Sequence, residues 1–360
     1  MDPKLIAQAN LLSLLNELQE QYSVLVPIRK GETRFYEPLS VLKPQVNQGA
    51  GANPGSTLND FVVGEVRAFE PLKTFFFQAK QKVAENYQDT APRKQAKPLC
   101  IVGAKACDLK GFKVLDAVFM GDDYLDPFYK TAREENLIIS ADCTSALEVC
   151  FCLSLQVDPY PKENFDVNLS DIGGSYIAEA GSDKGTRLLE KHSGYFQEPG
   201  KDQLKKRDKQ RAEVAEQVRN NIRSNGVPAQ DRLAGAIQKN YENPLWKEEA
   251  ETCVECGACN TICPTCHCFL LYDQLGDRDL VRYRLWDSCL IKDFAKVAGG
   301  ANPRPQLWMR LRNRFEKKFD YFPKVNDLYA CTGCGRCILA CPGKIDIRNV
   351  LKRNVENVRK

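Results

Sequence analysis

The chain contains little histidine or methionine and no long apolar segment. Among its 360 residues only two are histidine and three are methionine, and no run approaches 18 uninterrupted apolar residues. Two histidines are too few for a metal site built mainly from imidazole ligands. The lack of a long apolar run means that no transmembrane helix is predicted. The net charge of +4 comes from 51 basic and 47 acidic residues, a balance that does not indicate a nucleic-acid surface.

Cysteine, in contrast, is abundant, with 16 residues. The amino terminus has no basic segment, apolar stretch or small-residue cleavage site of a secretory signal, so a cytoplasmic location is predicted. Disulfides are rare in that compartment, where cysteines bind metal or carry out redox chemistry. Five cysteines lie in the first 152 residues and eleven lie between positions 253 and 341, which indicates two modules.

Residues 1–200 are predicted to form an α/β module. A helix is expected from Pro3 onward, and strands are expected at 24–28, 61–69, 99–103 and 137–140. An apolar stripe between the last two strands indicates a helix, so residues 98–140 read as a βαβ unit with a parallel strand pair. The glycine-rich segment 49–55 lacks the third glycine of a dinucleotide loop and contains Pro54, so it is predicted to be an ordinary loop.

The second half of the chain divides into two predicted parts. Residues 201–250 are charged and contain no cysteine, and a helix with one modest apolar stripe is expected there, forming a linker. Residues 251–360 are predicted to be a mostly helical, ferredoxin-like module with two clusters. The 67-residue insert at 264–330 is expected to be a helical excursion from that module.

The chemistry is carried by an internal repeat with the pattern C-x2-C-x2-C-x3-C-P. It occurs once from Cys253 to Pro264 and again from Cys331 to Pro342. This spacing is the known signature of bacterial two-cluster ferredoxins, in which the fourth cysteine of each repeat binds the other cluster. Structural zinc instead favours two separated C-x2-C pairs, so iron–sulfur clusters are predicted. Gly257 and Gly335 are expected to let the backbone approach each cluster and donate N–H groups to it.

The crossed pattern gives two predicted sets of ligands for 4Fe–4S clusters. One set is Cys253, Cys256, Cys259 and Cys341, and the other is Cys331, Cys334, Cys337 and Cys263. The insert also contains Cys266, His267, Cys268 and Cys289. Without His267, these cysteines are one ligand short of a four-ligand site. We favour the interpretation that these residues pack near a cluster; His267 as an iron ligand is the less favoured alternative.

The amino-terminal module has cysteines of its own. Cys100 lies in an apolar strand and is expected to pack as a small apolar residue. Cys107 and Cys143 each follow a predicted parallel strand, so both belong at the carboxyl edge of the sheet, where open α/β sheets build their sites. With Cys150 and Cys152 they form a possible third iron–sulfur site, either 4Fe–4S or 2Fe–2S; buried structural thiols are the alternative.

Several segments resemble the beta subunits of cytosolic sulfhydrogenases, the NAD(P)-linked nickel–iron hydrogenases, and the related 4Fe–4S dicluster subunit of anaerobic sulfite reductase. They are CPTCHCF (263–269), RLWDSC (284–289), NPRP (302–305), CTGCGRCILACP (331–342), ACDLKGFKVLD (106–116), DPFYKTARE (126–134) and CTSALEVCFC (143–152). Two positions depart from that family. Lys105-Ala106 stands where Arg-Pro is common, and His267 stands where tyrosine is common.

The resemblance implies an oxygen-sensitive 4Fe–4S subunit that passes electrons between a flavin- and NAD(P)-binding partner and a catalytic subunit, most simply a nickel–iron hydrogenase. The sequence has no Rossmann fingerprint, Walker loop or nucleophile elbow, so no catalytic residue is predicted. A different class of function stays open, in which an exposed thiol or cluster reduces a sulfur or sulfite substrate directly.

Overall fold

The computed structural model describes residues 2–42, 61–92, 97–121, 124–276 and 279–358. Within these ranges the strands are β1 Lys4–Ala7, β2 Ser23–Lys30, β3 Thr33–Pro38, β4 Lys80–Glu85, β5 Gln88–Asp89, β6 Leu99–Ala104, β7 Met120–Gly121, β8 Tyr124–Leu125, β9 Leu137–Ala141, β10 Val167–Asp171, β11 Ser175–Ala180, β12 Phe269–Leu275 and β13 Leu280–Trp286. The glycine-rich segment 49–55 lies outside the described residues.

The α-helices of the same ranges are α1 Gln8–Leu18, α2 Lys73–Phe76, α3 Ala106–Phe119, α4 Pro127–Glu135, α5 Asp183–Lys191, α6 Lys201–Asn225, α7 Ala236–Lys239, α8 Leu245–Ala250, α9 Ala258–Thr261, α10 Leu307–Glu316, α11 Phe322–Asn326, α12 Arg336–Leu339 and α13 Ile347–Asn357. A π-helical turn, Lys317–Tyr321, joins α10 to α11. No helix of the described ranges is long and apolar enough to cross a membrane.

The amino-terminal part is built on a mixed sheet whose described strands run in the order β1-β11-β10-β9-β6-β2-β3. The central neighbours β2, β6, β9 and β10 are parallel, and the pairs at both edges are antiparallel. Helices α1 and α5 cover one apolar face, and α2, α3 and α4 cover the other. The expected α/β class, parallel sheet and βαβ unit are therefore confirmed.

Two local expectations in this part are wrong. The chain begins with a strand rather than a helix, because Lys4–Ala7 pairs with β11 and α1 starts only at Gln8. In the predicted strand 61–69, only Phe61 forms a bridge to a neighbouring strand. Side chains take the carbonyl groups of this segment instead: Lys105 donates to Val63 O at 2.7 Å and Arg336 donates to Phe69 O at 3.0 Å.

The insert at 264–330 contains a β-hairpin, which the expectation of a helical excursion missed. Strands β12 and β13 pair with each other, and β13 also pairs with β4, so the described sheet has the order β12-β13-β4-β5. The rest of the insert includes α10, the π-helical turn and α11, and of these α10 and the turn pack in a second apolar core with α13 and the cysteine repeats. The hairpin therefore attaches the insert to the amino-terminal part.

Helix α6 covers the loop that contains Cys150. The Asn221 amide of this helix donates to Leu147 O at 2.8 Å and to Cys150 O at 3.3 Å. Val218 of the same helix is buried. Arg211 of the same helix forms an ion pair with buried Asp142 at 2.7 Å. The charged stretch is thus packed along the amino-terminal cysteines.

Candidate iron–sulfur centres

The two cysteine repeats fold alike. Glu255 and Gly257 in the first repeat, and Gly333 and Gly335 in the second, all have left-handed backbones with φ between 57° and 71°. Each repeat then enters a short helix, α9 or α12, capped by its second left-handed residue. Two left-handed residues in close succession wind each loop tightly, which brings its cysteines close together.

The first repeat lines a cavity that we name the first-repeat cavity. Its walls include Cys253, Cys256 and Cys259 together with Cys341 and Cys337 of the second repeat. Cys256 is exposed, whereas Cys253, Cys259 and Cys341 are partly buried. The structure thus brings Cys341 to the thiols of the first repeat, in the arrangement that a crossed ligand set requires.

The fourth cysteine of the first repeat lies with the second repeat. The Cys263 sulfur lies 3.1 Å from Thr265 Oγ1, which donates to the carbonyl oxygen of Ala330, the residue before Cys331, at 2.8 Å. Burial raises the pKa of Cys331 to about 12, and the thiols Cys337 and Cys263 add to that increase. Burial also raises the pKa of Cys337 to about 11, with contributions from Cys334 and Cys263. Lys318 donates to the Cys263 sulfur at 3.3 Å, so a buried ammonium group faces this set.

The four amino-terminal cysteines predicted as ligands line a second cavity, which we name the amino-terminal cavity. Cys107 lies in the first turn of α3 directly after β6, Cys143 follows β9, and Cys150 and Cys152 approach from the next loop. Cys334 of the second repeat lines the same cavity. The sequence does not predict this fifth cysteine, because spacing within each half says nothing about contacts between the halves.

The second repeat packs directly on the amino-terminal cysteine loop. A Cβ atom added to Gly333 would lie 2.5 Å from Cys152 Cα, so only glycine allows this approach. The Phe151 N–H donates to Gly333 O at 2.9 Å, and Arg67 Nε donates to Cys334 O at 2.6 Å. These contacts place the cysteines of the two halves side by side.

A buried ion pair fastens the same contact. Arg336 of α12 pairs with Asp108 of α3 at 2.8 Å, and each side chain is only 1% exposed. The guanidinium also donates to the carbonyls of Ala68 and Phe69. Separating the halves would leave two unpaired charges, which is strongly unfavourable in a buried site.

Lys105 provides a buried cation beside the amino-terminal cysteines. Its ammonium group is buried and donates to Val63 O at 2.7 Å and Asp142 O at 3.0 Å. Burial lowers the pKa of Lys105, and the nearby Cys143 thiol opposes that change. The ammonium group of Lys105 can therefore offset negative charge at Cys143.

The donor groups fit iron–sulfur clusters. In the described parts of the chain, no three His, Cys, Asp or Glu side chains are close enough together to hold a single metal ion. The thiols instead surround cavities, as a group with several metal atoms requires. In the amino-terminal cavity, Arg67 Nη2 is buried and has no hydrogen-bond partner among the described residues, so its N–H groups are available to a sulfur of a bound cluster.

Buried cations around the cysteines were not found by sequence reasoning. Arg314, Lys318 and Lys73 are each less than 5% exposed and lie near the thiols. The basic run of α10 and the following turn was visible in the sequence. Its burial was not, because charged helices usually face solvent.

Comparisons with known proteins agree with this chemistry. Residues 252–345 match the family of 4Fe-4S dicluster domains. The whole chain is similar to Sulfhydrogenase 2 subunit beta of Pyrococcus furiosus, with 27% identity over 338 residues that cover 93% of each chain. The resemblance to sulfhydrogenase beta subunits is confirmed. The dicluster domain at the carboxyl end, with its iron–sulfur chemistry, is confirmed with it.

Proposed function

We propose that this chain is the electron-transfer subunit of a multisubunit oxidoreductase. It relays electrons between a flavin- and NAD(P)-binding partner and a catalytic subunit, which we infer to be a nickel–iron hydrogenase. The similarity to a sulfhydrogenase beta subunit supports this assignment. Iron–sulfur clusters, when bound, supply one-electron transfer.

The observation that carries the proposal is the continuity of the cysteine sites. Cys334 lines the amino-terminal cavity, and Cys337, three residues later, lines the first-repeat cavity. We propose that Cys253, Cys256, Cys259 and Cys341 hold one 4Fe–4S cluster and that Cys331, Cys334, Cys337 and Cys263 hold the second. Cys107, Cys143, Cys150 and Cys152 would hold a third cluster, beside Cys334.

The protein residues have three tasks in this proposal. They bury or half-bury eleven of the twelve proposed ligands, they offset negative charge with Arg67, Lys105 and Lys318, and they fix the distance between the sites through the Arg336–Asp108 pair. The first-repeat cavity ends near the surface, where Cys256 is exposed and Val254 is 64% exposed. We propose this end as a contact for a partner subunit.

The experiment compares the full-length chain, purified without oxygen, with and without a flavoprotein partner purified from the same cells. We expect a brown protein whose reduced form gives signals of interacting cubane clusters by electron paramagnetic resonance. NAD(P)H should reduce these clusters only when the partner is present. A colourless zinc protein, or stoichiometric flavin in the isolated chain, would overturn the proposal.

A second assay separates the relay from direct catalysis on sulfur compounds. The isolated chain is supplied with an artificial electron donor and with polysulfide or sulfite. We expect no turnover, because the reaction belongs to the partner that carries the catalytic site. Sustained turnover by the isolated chain would support the sulfur-reducing alternative instead.

A further inference from the structure

The insert gathers a set of metal-binding side chains that neither cysteine repeat uses. Cys266, His267 and Cys268 follow the first repeat, and Cys289 comes after the hairpin, yet all four line one cavity of about 290 Å³. The first-repeat and amino-terminal cavities have about 30 Å³ each. The space in this insert cavity is therefore ample for a group of the kind proposed at those sites.

A single buried side chain, Asn260, connects these thiols. Asn260 is 2% exposed, and its amide donates to the Cys289 sulfur at 3.2 Å. Its carbonyl oxygen lies 3.7 Å from the Cys266 sulfur. Cys268 lines the same cavity as Cys266 and Cys289. The hairpin thus returns Cys289 to the two cysteines from which it is separated by more than 20 residues in sequence.

The charges around the cavity call for an anionic occupant. Arg314 and Lys318 line it, and Lys73 donates to Cys266 O at 3.1 Å. All three side chains are less than 5% exposed. Their hydrogen bonds go to amide and carbonyl oxygens, a hydroxyl group and the Cys263 sulfur, and no described carboxylate pairs with them. Lys318 already faces the Cys263 sulfur of the second ligand set, whereas Arg314 and Lys73 have no described counterion. Buried cations without counterions are strongly unfavourable, so thiolates that hold metal in this cavity would supply the missing negative charge.

His267 lines the cavity and has a tautomer that suits a metal ligand. Its Nδ1 lies 3.0 Å from Thr265 O, and since a carbonyl oxygen can only accept, Nδ1 carries the proton. The other ring nitrogen, Nε2, then keeps a free lone pair. A ligating imidazole usually donates its second N–H to a carbonyl group in this way.

We propose that Cys266, Cys268 and Cys289, with the His267 imidazole as fourth ligand, hold an additional iron–sulfur cluster. A lone zinc ion does not fit, because no three of these side chains are close enough to share one ion. Thr265 lines the same cavity, and its Oγ1 lies 3.1 Å from the Cys263 sulfur, so the cluster would lie next to the second ligand set. This site is additional to the three sites proposed for the relay, and none of its four ligands is a ligand at those sites.

The test measures iron and acid-labile sulfide in the full-length chain, purified without oxygen, for the parent and the double variant Cys268→Ser/Cys289→Ser. We expect the variant to lose one cluster, about four iron atoms per chain if it is 4Fe–4S, and to keep the signals of the two ferredoxin-type clusters. The matched control is Cys100→Ala, which removes a buried thiol of the central sheet and should lose no iron. Equal iron in parent and double variant would overturn the proposal.

A second measurement decides the matter if the double variant does not fold. Native mass spectrometry of the parent counts intact clusters, and Cys143→Ser subtracts the one proposed in the amino-terminal cavity. The insert site is supported if the parent holds four clusters. It is also supported if the parent holds three clusters and the Cys143 variant still holds three. The proposal is overturned if the parent holds three clusters and the Cys143 variant holds two, or if Cys268 and Cys289 form a disulfide. A parent without any iron–sulfur cluster would refute the proposed function as a whole.

The role of His267 has its own spectroscopic readout. His267→Ala should retain iron through the three thiolates but shift the g-values of one cluster, since one ligand nitrogen is lost. His267→Cys should also retain iron and give the spectrum of a cluster with four cysteine ligands. Unchanged spectra in both variants would remove the imidazole from the ligand set.

Discussion

Three glycines form a matched series that measures how tightly the second repeat packs on the amino-terminal cysteine loop. Gly235, Gly257 and Gly335 each cap a four-residue helix, with φ of +69°, +70° and +71°. A Cβ atom at Gly235 would meet nothing within 4 Å, and one at Gly257 would lie 3.2 Å from the Ser288 side chain. At Gly335 it would lie 2.3 Å from Val149 O, a backbone atom.

Alanine at the three positions should therefore have graded effects. The left-handed backbone costs alanine about 1–2 kcal/mol, of which roughly 0.4–1 kcal/mol is recovered because the unfolded chain loses freedom. Gly235→Ala should thus cost about 1 kcal/mol, and Gly257→Ala slightly more. Gly335→Ala adds the cost of moving the Val149 backbone, about 1–3 kcal/mol for overpacking.

The assay is the rate at which each variant loses its iron–sulfur absorbance in urea without oxygen. A rate is the appropriate quantity because proteins that hold metal groups often unfold irreversibly. An added 2 kcal/mol corresponds to about a 30-fold faster loss if the contact breaks before the barrier. Gly257→Ala is the control for a position next to a cysteine ligand. Equal rates for Gly235→Ala and Gly335→Ala would refute the packing argument.

Three further predictions concern the ligands, the ion pair and pH. Cys263→Ser should abolish the cluster signal of the second repeat, and Cys341→Ser should abolish that of the first repeat. If each variant instead loses the cluster of the repeat in which the mutated cysteine lies, the crossed assignment is refuted. Arg336→Met should lower the free energy of unfolding by about 3–5 kcal/mol, because it leaves Asp108 buried without its partner, and adding Asp108→Asn should restore part of it. Burial raises the pKa of the Cys143 thiol from 9.0 to about 11, so the folded chain holds this proton more tightly than the unfolded chain. The cluster-free protein should keep this stability below pH 9 and lose about 1–3 kcal/mol as the pH rises through 11; identical pH profiles for parent and Cys143→Ala would contradict it.

The parts that sequence predicts well are those set by local spacing. The apolar runs around 99–103 and 137–140, with a helical stripe between them, are enough to predict the βαβ unit. The C-x2-C-x2-C-x3-C-P repeat likewise predicts the tight winding of each cysteine loop. In both cases residues close in sequence determine the geometry.

The remaining features depend on contacts between distant segments. Segment 61–69 has the composition of a strand, but Lys105 and Arg336 take the carbonyls that a neighbouring strand would use. The return of Cys289 to Cys266 depends on the hairpin and on Asn260, neither of which spacing reveals. The shared position of Cys334 likewise depends on the backbone contact made by Gly333.

The pairing of β13 with β4 sets the order in which the protein can be completed on the ribosome. Lys80 pairs with Leu285, about 200 residues later in the chain. At about 5–20 residues per second, β4 waits about 10–40 s for its partner to be synthesised. Its lysines at positions 80 and 82 protect it in that interval, because charged edge strands resist pairing with other chains. The nascent amino-terminal half therefore has an open edge until translation of the insert closes it.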